Sequence, residues 1–308
     1  MSALPTVERA VAAQRRRPKA PGERPGKRRS AVLTAIMALL FVYCLVPLVW
    51  LIINSTKSNE GLFTSPGLWF ANGFDLFKNI GDVFTYQHGV YVHWLLNTVL
   101  YAVVGAGGAS LIAAVGGYAL AKYEFQGKRF LFSLVLGAIT VPGTVLAIPT
   151  FLLFSAIGLT NTPWAVIIPS LASPFGLYLM RVYAADAIPD SLLEAARVDG
   201  ARELRIFVTI AMRLLGPGFV TVLLFQVVAT WNNYFLPLIV LNDPTWFPLT
   251  VGLNQWSAQA NGGMTPGATQ AVYPLVLTGS LIALVPLVAA FFLLQRYWQA
   301  GLATGSVK

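Results

Sequence analysis

The stretch AVLTAIMALLFVYCLVPLVWLII, Ala31–Ile53, decides the class of this protein, because it contains no charged side chain. As a helix it rises about 34 Å at ~1.5 Å per residue, which matches a hydrocarbon core of roughly 30 Å. The whole chain of 308 residues is 56% hydrophobic and 11% charged, whereas soluble domains average about 25% charged residues. The sequence therefore predicts an integral membrane protein.

Five further apolar runs follow the first. Because backbone groups inside a bilayer must satisfy their own hydrogen bonds, each run is predicted to be a helix. We predict an all-α polytopic membrane protein whose membrane domain covers residues 31–300. Its six transmembrane helices are expected at about residues 31–53, 95–120, 130–157, 164–183, 218–241 and 273–296. Prolines in or near these spans are either hinges or kinks tolerated by packing.

The basic residues predict the orientation. Of the 21 Lys and Arg residues, all but Lys57 and Lys78 lie before the first span, after the sixth, in the second-to-third and fourth-to-fifth connections, or in the last three residues of the fourth and sixth spans. Lys and Arg concentrate on the cytoplasmic side of membrane proteins, so both termini are expected in the cytoplasm. Residues 1–30 are predicted to be a disordered basic tail attracted to membrane lipid, and residues 301–308 a short cytoplasmic tail. No nucleic acid partner is expected, because the basic tail lacks interleaved aromatic residues.

The connection over residues 186–216 is unusually charged for this chain. Ser191 and Glu194 have the spacing of a capping box, which predicts a short helix from about Leu192 to Asp199. Gly200 follows where a left-handed C-cap residue is expected, and a second helix is predicted from Ala201. The segment is either a solvated connection or a helix lying crosswise below the membrane that docks on another protein.

The stretch EAARVDGARELRIFVTI, Glu194–Ile210, resembles the EAA loop of permease subunits in ATP-binding-cassette importers. That signature is Glu-Ala-Ala, three residues, Gly, nine residues and then Ile-x-Leu-Pro. The residues Glu194, Ala195, Ala196, Gly200 and Ile210 match its spacing, whereas Met212 and Arg213 replace the usual Leu and Pro. The stretches GGYALAKYEFQGKRF, GLTNTPWAVIIP and WNNYFLPLIVL are similar to the carbohydrate-importer branch that includes the smaller membrane subunit of the maltose transporter.

The resemblance implies an ABC importer type I permease fold with a cytoplasmic coupling helix, in the bacterial plasma (inner) membrane. It also implies a second permease subunit in a heterodimer, a cytoplasmic ATPase dimer and an extracytoplasmic sugar-binding protein. The residues that it assigns to ATPase coupling are Glu194, Ala195, Ala196, Asp199, Gly200 and Ile210. No catalytic residue, metal site or cofactor is expected on this chain, and ATP and Mg are expected on the partner ATPase. The segment PGERPGKRR departs from the phosphate-loop pattern at its first and last positions.

Neutral polar side chains mark the expected transport pathway. Apart from Arg181 and Arg296 near span ends, the predicted spans contain no Asp, Glu, Lys, Arg or His, which disfavours a proton- or sodium-coupled carrier. In the fifth span Gln226, Thr230 and Asn233 recur on one helix face. The candidate pathway residues are Gln226, Thr230, Trp231, Asn232, Asn233 and Tyr234. Their amides, hydroxyl groups and aromatic rings suit a neutral sugar, and hydrogen bonding between helices is the alternative role for each.

The predicted function is therefore that of a permease subunit forming half of the pathway for a mono- or oligosaccharide. The alternatives are a related permease for an amino acid, a peptide or a polyol, a self-sufficient secondary carrier, and a membrane scaffold. The lack of intramembrane charge disfavours the carrier, and the Glu-Ala-Ala…Gly spacing has no purpose in a carrier or a scaffold.

Overall fold

A computed structural model describes residues 30–262 and 272–304, and the side chains of residues 30–261 and 272–295. Every regular element in this part of the chain is helical. The chain divides into two compact units, Met1–Leu48 and Val49–Lys308. The predicted basic tail lies outside the described residues except for Ser30, and the predicted C-terminal tail lies outside them after Thr304.

The described part of the first unit is the beginning of α1 (Ala31–Ser55), which continues across the unit boundary. The helix begins at the residue where the charge-free run begins. Ser30 precedes it, and its side-chain oxygen accepts a hydrogen bond from the N–H of Leu33 at 3.3 Å. A Ser oxygen at this position satisfies an N–H group of the first turn, which otherwise has no partner inside the helix.

The second unit contains the remaining helices. They are α2 (Asn59–Thr64), α3 (Leu76–Thr85), α4 (Val90–Tyr101), α5 (Gly107–Lys122), α6 (Lys128–Thr140), α7 (Gly143–Ala156), α8 (Trp164–Ser170), α9 (Pro174–Ala187), α10 (Asp190–Val198), α11 (Glu203–Ile206), α12 (Met212–Trp231), α13 (Phe235–Val240), α14 (Leu249–Gly262) and α15 (Val272–Thr304). The π-helical turns Ala102–Ala106 and Phe207–Ala211 join α4 to α5 and α11 to α12, so each pair is one continuous helix.

The prediction of an all-α polytopic protein is confirmed. In the described chain five helical segments are long and apolar enough to cross a membrane: Ala31–Ser55, Leu76–Lys122, Trp164–Ala187, Glu203–Trp231 and Val272–Gln295. The pair α6 and α7 makes a sixth span if the two helices are counted together across their 105° bend.

Three predicted spans differ from the observed helices, two of them at a Pro or Gly. The third is broken between α6 and α7, where Val141 and Pro142 are both extended, because the residue before a proline avoids helical backbone angles. The second already begins at Val90, after Gly89 with a left-handed φ of 78°. The fifth runs from Glu203 to Trp231, and not from 218 to 241, and a short separate helix containing Pro237 follows it.

Close packing of α5 against α9 positions the candidate coupling site around α10. A Cβ atom on Gly117 in α5 is placed 2.6 Å from the Cβ of Met180 and 2.7 Å from the backbone nitrogen of Arg181. No side chain fits there, so Gly117 permits this close packing. The two helices therefore approach each other at backbone distance just before α9 leads into α10.

Two buried clusters lie toward opposite ends of the continuous helix α4–α5. The aromatic cluster gathers around Tyr91, Trp94 and Trp256. The coupling cluster gathers around Tyr118, Met180, Leu193, Ile206 and Leu215.

Candidate coupling site and transport cavity

The helix α10 begins directly after Pro189, whose backbone is extended at φ −66° and ψ 135°. The N–H of Leu192 donates to the carbonyl of Pro189 at 3.2 Å, so Ser191 already lies inside the first turn. The predicted capping box is therefore wrong, because Pro189 occupies the N-cap position and has no side-chain acceptor. The fixed φ of proline is compatible with this entry into a helix.

The end of α10 agrees with the prediction for Gly200. Its φ is +78°, a left-handed conformation that glycine adopts without the steric penalty of a Cβ atom. The N–H of Ala201 donates to the carbonyl of Ala196 at 3.0 Å, and the N–H of Gly200 donates to the carbonyl of Arg197 at 3.0 Å. These two bonds form the Schellman motif, which satisfies carbonyls at a helix end and turns the chain sharply.

The helix α10 has one buried face and one exposed face. Leu193 and Ala196 are buried in the coupling cluster, three residues apart on the same side of the helix. On the other side Val198 is 88% exposed. Leu193 and Ala196 thus hold the helix to the bundle while the opposite side stays accessible. The other exposed residues at this end of α10 are Glu194, Ala195, Arg197, Asp199 and Gly200.

Three side chains, here named the clasp, connect the two sides of the Gly200 bend to the end of α5. The Nε atom of Arg197 donates to Oε1 of Glu203 at 2.7 Å, and Nη2 donates to Oε2 at 3.3 Å. The hydroxyl group of Tyr123 donates to Oε2 of the same carboxylate at 2.5 Å. Burial, and then the hydrogen bond to Glu203, raises the pKa of Tyr123 above its usual range, so this hydroxyl group stays a proton donor at neutral pH.

A second ion pair holds the start of α10. The ammonium group of Lys122, the last residue of α5, lies 2.8 Å from Oδ1 of Asp190. The lysine side chain is only 6% exposed and the aspartate side chain is 77% exposed, so the pair lies at the edge of the bundle. Both ends of α10 are therefore connected to the end of α5.

Sequence reasoning missed Lys122, Tyr123 and the pairing of Glu203. Tyr123 and Glu203 are 80 residues apart, and Lys122 and Asp190 are 68 residues apart. The available signal was the polar triplet Lys122-Tyr123-Glu124 directly after an apolar span. The residues that Lys122 and Tyr123 contact could not be predicted, because they depend on the packing of α5 beside α9.

The structure brings most of the predicted coupling residues together around the Gly200 bend. Glu194, Ala195 and Asp199 are exposed, whereas Ala196 is buried. Ile210 lies apart from them in the π-helical turn before α12, half-buried against the coupling cluster. Ile210 thus packs inside the bundle and does not belong to the exposed surface of α10.

A cavity of 870 Å³ lies beside α7, the end of α8 and the start of α13. Its polar groups come from Thr144, Thr150, Ser170 and Asn233. None of the described residues that line it carries a charge. The aromatic ring of Phe235 also faces this cavity, so its wall combines hydrogen-bonding groups with apolar surface.

The six predicted pathway residues do not share one surface. Gln226 and Thr230 lie on α12, but α12 ends at Trp231, so Asn233 does not continue their helical stripe. The amide of Asn232 donates back to the carbonyl of Val228 at 2.8 Å. An Asn side chain competes in this way for backbone groups at a helix end, and the predicted stripe is therefore wrong beyond Thr230.

The remaining pathway candidates have different surroundings. The amide of Gln226 donates to the hydroxyl group of Ser173 between α9 and α12, which is an interhelical bond within this chain. Thr230 and Trp231 are buried, and Tyr234 packs against the aromatic cluster. Among the six candidates only Asn233 lines the cavity.

Comparison with known proteins identifies related chains. The family described as "Binding-protein-dependent transport system inner membrane component" matches residues 106–303. The arabinooligosaccharides transport system permease protein AraQ of Halalkalibacterium halodurans is 35% identical over 91% of this chain and 96% of its own length. The lactose transport system permease protein LacG of Rhizobium radiobacter is 28% identical over 89% of this chain and 94% of its own length.

A solved structure shows the same fold. A chain in the crystal structure of a bacterial ABC transporter involved in the import of the acidic polysaccharide alginate matches with a TM-score of 0.75. The match covers 91% of this chain and 100% of that chain at 22% identity, and the predicted importer permease fold is confirmed. The family match and the apolar helices make this chain a multi-pass protein of the inner membrane. The chain belongs to the family of binding-protein-dependent transport system inner membrane components.

Proposed function

We propose that this chain is one of two permease subunits in an ABC importer for a neutral mono- or oligosaccharide. The exposed side of α10 docks on a cytoplasmic ATPase dimer that binds ATP and Mg. An extracytoplasmic binding protein delivers the sugar to a pathway that this chain shares with the second permease subunit.

The proposal rests on the contrast between the two faces of α10, of which one is attached to the bundle and the other is exposed. The buried residues Leu193 and Ala196, together with the clasp, fix the helix to α5 and to the start of the continuous helix that contains α12. Val198 remains 88% exposed on the opposite side, where a partner can bury it. A partner that binds this side more tightly in one state than in the other shifts the position of α10, and α5 and α12 follow.

The cavity supports a neutral, hydroxyl-rich substrate. Its described lining offers two threonine hydroxyl groups, one serine hydroxyl group and the amide of Asn233, without a charged side chain. An ionised amino acid or peptide in such a site leaves its charges without opposite partners, which is costly away from water. Relatives named for arabinooligosaccharides and lactose support the same class of substrate.

The test uses the complete transporter, recovered through a tag on this chain and placed in proteoliposomes. Uptake of labelled oligosaccharides, monosaccharides, polyols, amino acids and dipeptides is measured with ATP inside, where the ATPase acts. We expect uptake of a sugar that needs both ATP and the binding protein. ATP-dependent uptake of amino acids or peptides without sugar uptake contradicts the proposed substrate, and uptake by this chain alone contradicts the proposed mechanism.

Substitution at Val198 tests the docking surface. We expect Val198→Asp to lower ATP-dependent uptake at least tenfold, because a carboxylate at an apolar contact must be desolvated. Val198→Thr is the matched control, since it keeps the shape of the side chain and adds no charge. Docking at this side of α10 is contradicted if the purified complexes of both variants lose the ATPase to the same extent. It is also contradicted if Val198→Asp takes up the sugar at the wild-type rate.

A further inference from the structure

A cleft of 610 Å³ opens beside the first turn of α6. Three basic side chains, one carboxylate and three phenylalanine rings surround it. The described residues that line it are Glu124, Phe125, Gly127, Lys128, Arg129, Phe130, Phe132 and Arg181.

The cleft carries an excess of positive charge. The ammonium group of Lys128 lies 2.8 Å from Oε1 of Glu124, so this pair is close to neutral. The two arginines, Arg129 on α6 and Arg181 on α9, are the remaining cations. The cleft therefore presents two guanidinium groups from different helices to the same space.

Arg181 has a free hydrogen-bond donor. Its guanidinium carbon lies 3.9 Å from the ring centre of Phe132, and this contact orients the group. Its Nε atom is buried and has no hydrogen-bond acceptor within the described part of the chain. A buried donor without an acceptor is unfavourable, and a small shift of the guanidinium group toward an anion in the cleft removes that penalty.

The cleft lies at the membrane boundary. The apolar helix α5 ends at Lys122 and the apolar helix α6 begins at Lys128, so the cleft is where both helices leave the hydrocarbon region. Phe130 at the cleft is 75% exposed. Positively charged pockets between helices at this depth bind the head groups of anionic lipids.

A separate apolar groove lies farther along α6. It has a volume of 260 Å³ and is lined by Ile112 and Ala113 of α5, Leu134 and Val135 of α6, and Leu177 of α9, among others. From Lys128 to Ala138, which also lines the groove, α6 advances about 15 Å at ~1.5 Å per residue. A basic cleft and an apolar groove that follow each other along this length of one helix offer contacts for a lipid head group and for its acyl chain.

We propose that this cleft and groove bind one anionic phospholipid. Arg129 and Arg181 contact its phosphate group, and one acyl chain lies along α6 in the groove. Free phosphate has the same charge chemistry, but the apolar groove farther along α6 offers it no contact, and the two sources are distinguished below.

The test is native mass spectrometry of the delipidated complete transporter in detergent. Phosphatidylglycerol, phosphatidylcholine and inorganic phosphate are added separately. We expect phosphatidylglycerol to bind more tightly than phosphatidylcholine, and an excess of inorganic phosphate to leave it bound. Equal binding of the two lipids overturns the proposal, as does complete displacement by inorganic phosphate, which identifies a site for free anions.

Variants locate the bound lipid. Removing one cation near a membrane surface weakens anionic-lipid binding about fivefold, so Arg129→Gln together with Arg181→Gln is expected to weaken it roughly 25-fold. Arg129→Gln alone, at an exposed position, keeps the test valid if the double variant does not fold. Arg213→Gln, at an exposed arginine outside the cleft, is the matched control. Ile112→Trp places a larger side chain in the groove from an exposed position. It is expected to weaken the binding of phosphatidylglycerol even though Arg129 and Arg181 are both present. Unchanged phosphatidylglycerol affinity in either cleft variant, or in Ile112→Trp, overturns the proposal.

Discussion

The aromatic cluster and the coupling cluster are built by different means, although the same continuous helix supplies residues to both. In the aromatic cluster, large rings pack in contact, and the polar atoms of Tyr91, Trp94 and Tyr101 each donate to a distant backbone carbonyl. The ring centres of Trp94 and Trp256 lie 4.8 Å apart. The hydroxyl group of Tyr91 donates to the carbonyl of Gly279 at 2.7 Å, and that of Tyr101 to the carbonyl of Trp246 at 2.8 Å.

The coupling cluster uses small side chains inside and charged pairs at its surface. Ala113, Ala114 and Ala184 allow α5 and α9 to approach closely. The clasp and the pair of Lys122 and Asp190 hold α10 from outside the cluster. An exposed ion pair such as that of Arg197 and Glu203 contributes only about 0–1 kcal/mol, so the clasp directs the orientation of α10 more than it stabilises the fold.

The difference has a mechanical meaning. Buried rings with satisfied polar atoms fix the connection before α14 against α4, and changing that arrangement breaks several contacts at once. A helix held by a few apolar side chains and surface pairs changes its position at lower cost. The aromatic cluster is therefore the more rigid region, and in the proposed function the coupling cluster is the region through which the ATPase moves the helices.

The largest effect is expected from a cavity in the aromatic cluster. Trp94 is fully buried, and its Nε1 atom donates to the carbonyl of Pro244 at 3.0 Å. We expect Trp94→Ala to lower the free energy of unfolding by about 3–5 kcal/mol, measured by thermal and denaturant unfolding in detergent. Trp69→Ala, at an exposed tryptophan, is the control and is expected to have little effect. Similar melting of the two variants contradicts the rigid role of the cluster.

Next in size is a change at the bend of the coupling region. Gly200→Pro removes the N–H that bonds to Arg197 and cannot adopt φ +78°, a cost of about 3 kcal/mol or more in local structure. We expect membrane insertion to persist while ATP-driven uptake is lost, measured in proteoliposomes of the complete transporter.

Gly200→Asn is the matched control for that substitution. Asn tolerates the left-handed conformation better than most residues, and no heavy atom outside its chain neighbours lies within 4 Å of a Cβ at this position. The Asn variant should therefore keep most of the uptake. Transport at the wild-type rate by Gly200→Pro is the result that contradicts a mechanical role for the bend.

A matched pair of tyrosine substitutions compares the clusters directly. Tyr123→Phe removes the hydrogen bond to Glu203, and Tyr101→Phe removes the bond to the carbonyl of Trp246. Each is expected to cost about 1 kcal/mol of stability. Only Tyr123→Phe should lower the amount of solute transported per ATP hydrolysed, because Tyr123 helps to connect α5 to α10 and Tyr101 does not. Equal transport ratios in the two variants refute a special role for the clasp.

The smallest effect is expected from the ion pair inside the clasp. The side chains of Arg197 and Glu203 are 40% and 48% exposed, so a double-mutant cycle of Arg197→Gln and Glu203→Gln should give a coupling energy of about 0.2–1 kcal/mol. It should vanish in about 1 M salt, where the screening length is roughly 3 Å. A salt-independent energy above about 2 kcal/mol means that the pair stabilises the fold itself.

Features set by neighbouring residues were predictable from the sequence. The start of α1 follows from where the apolar run begins after Ser30, and the bend at Gly200 follows from glycine's freedom to adopt a positive φ after a helix. The break of the third span had a visible cause in Pro142, but a proline also occurs inside α1 as Pro47. Sequence alone therefore does not separate a proline that breaks a helix from one that packing tolerates.

Features set by packing were not predictable. The helical spacing of Gln226, Thr230 and Asn233 holds only while the helix continues, and α12 ends at Trp231. The cavity beside Asn233 is formed by α7, α8 and α13, so its position depends on the sharp bend between α6 and α7.

The sequence by itself determined that this is a helical membrane protein with a glycine-centred bend in a charged loop, because apolar length and backbone freedom act over a few neighbouring residues. Only the tertiary structure decided that Tyr123 meets Glu203, that Lys122 meets Asp190, and that Asn233 faces the cavity while Gln226 bonds to Ser173. Those partners are far apart in the chain, and the distances between their atoms depend on how closely the helices approach one another.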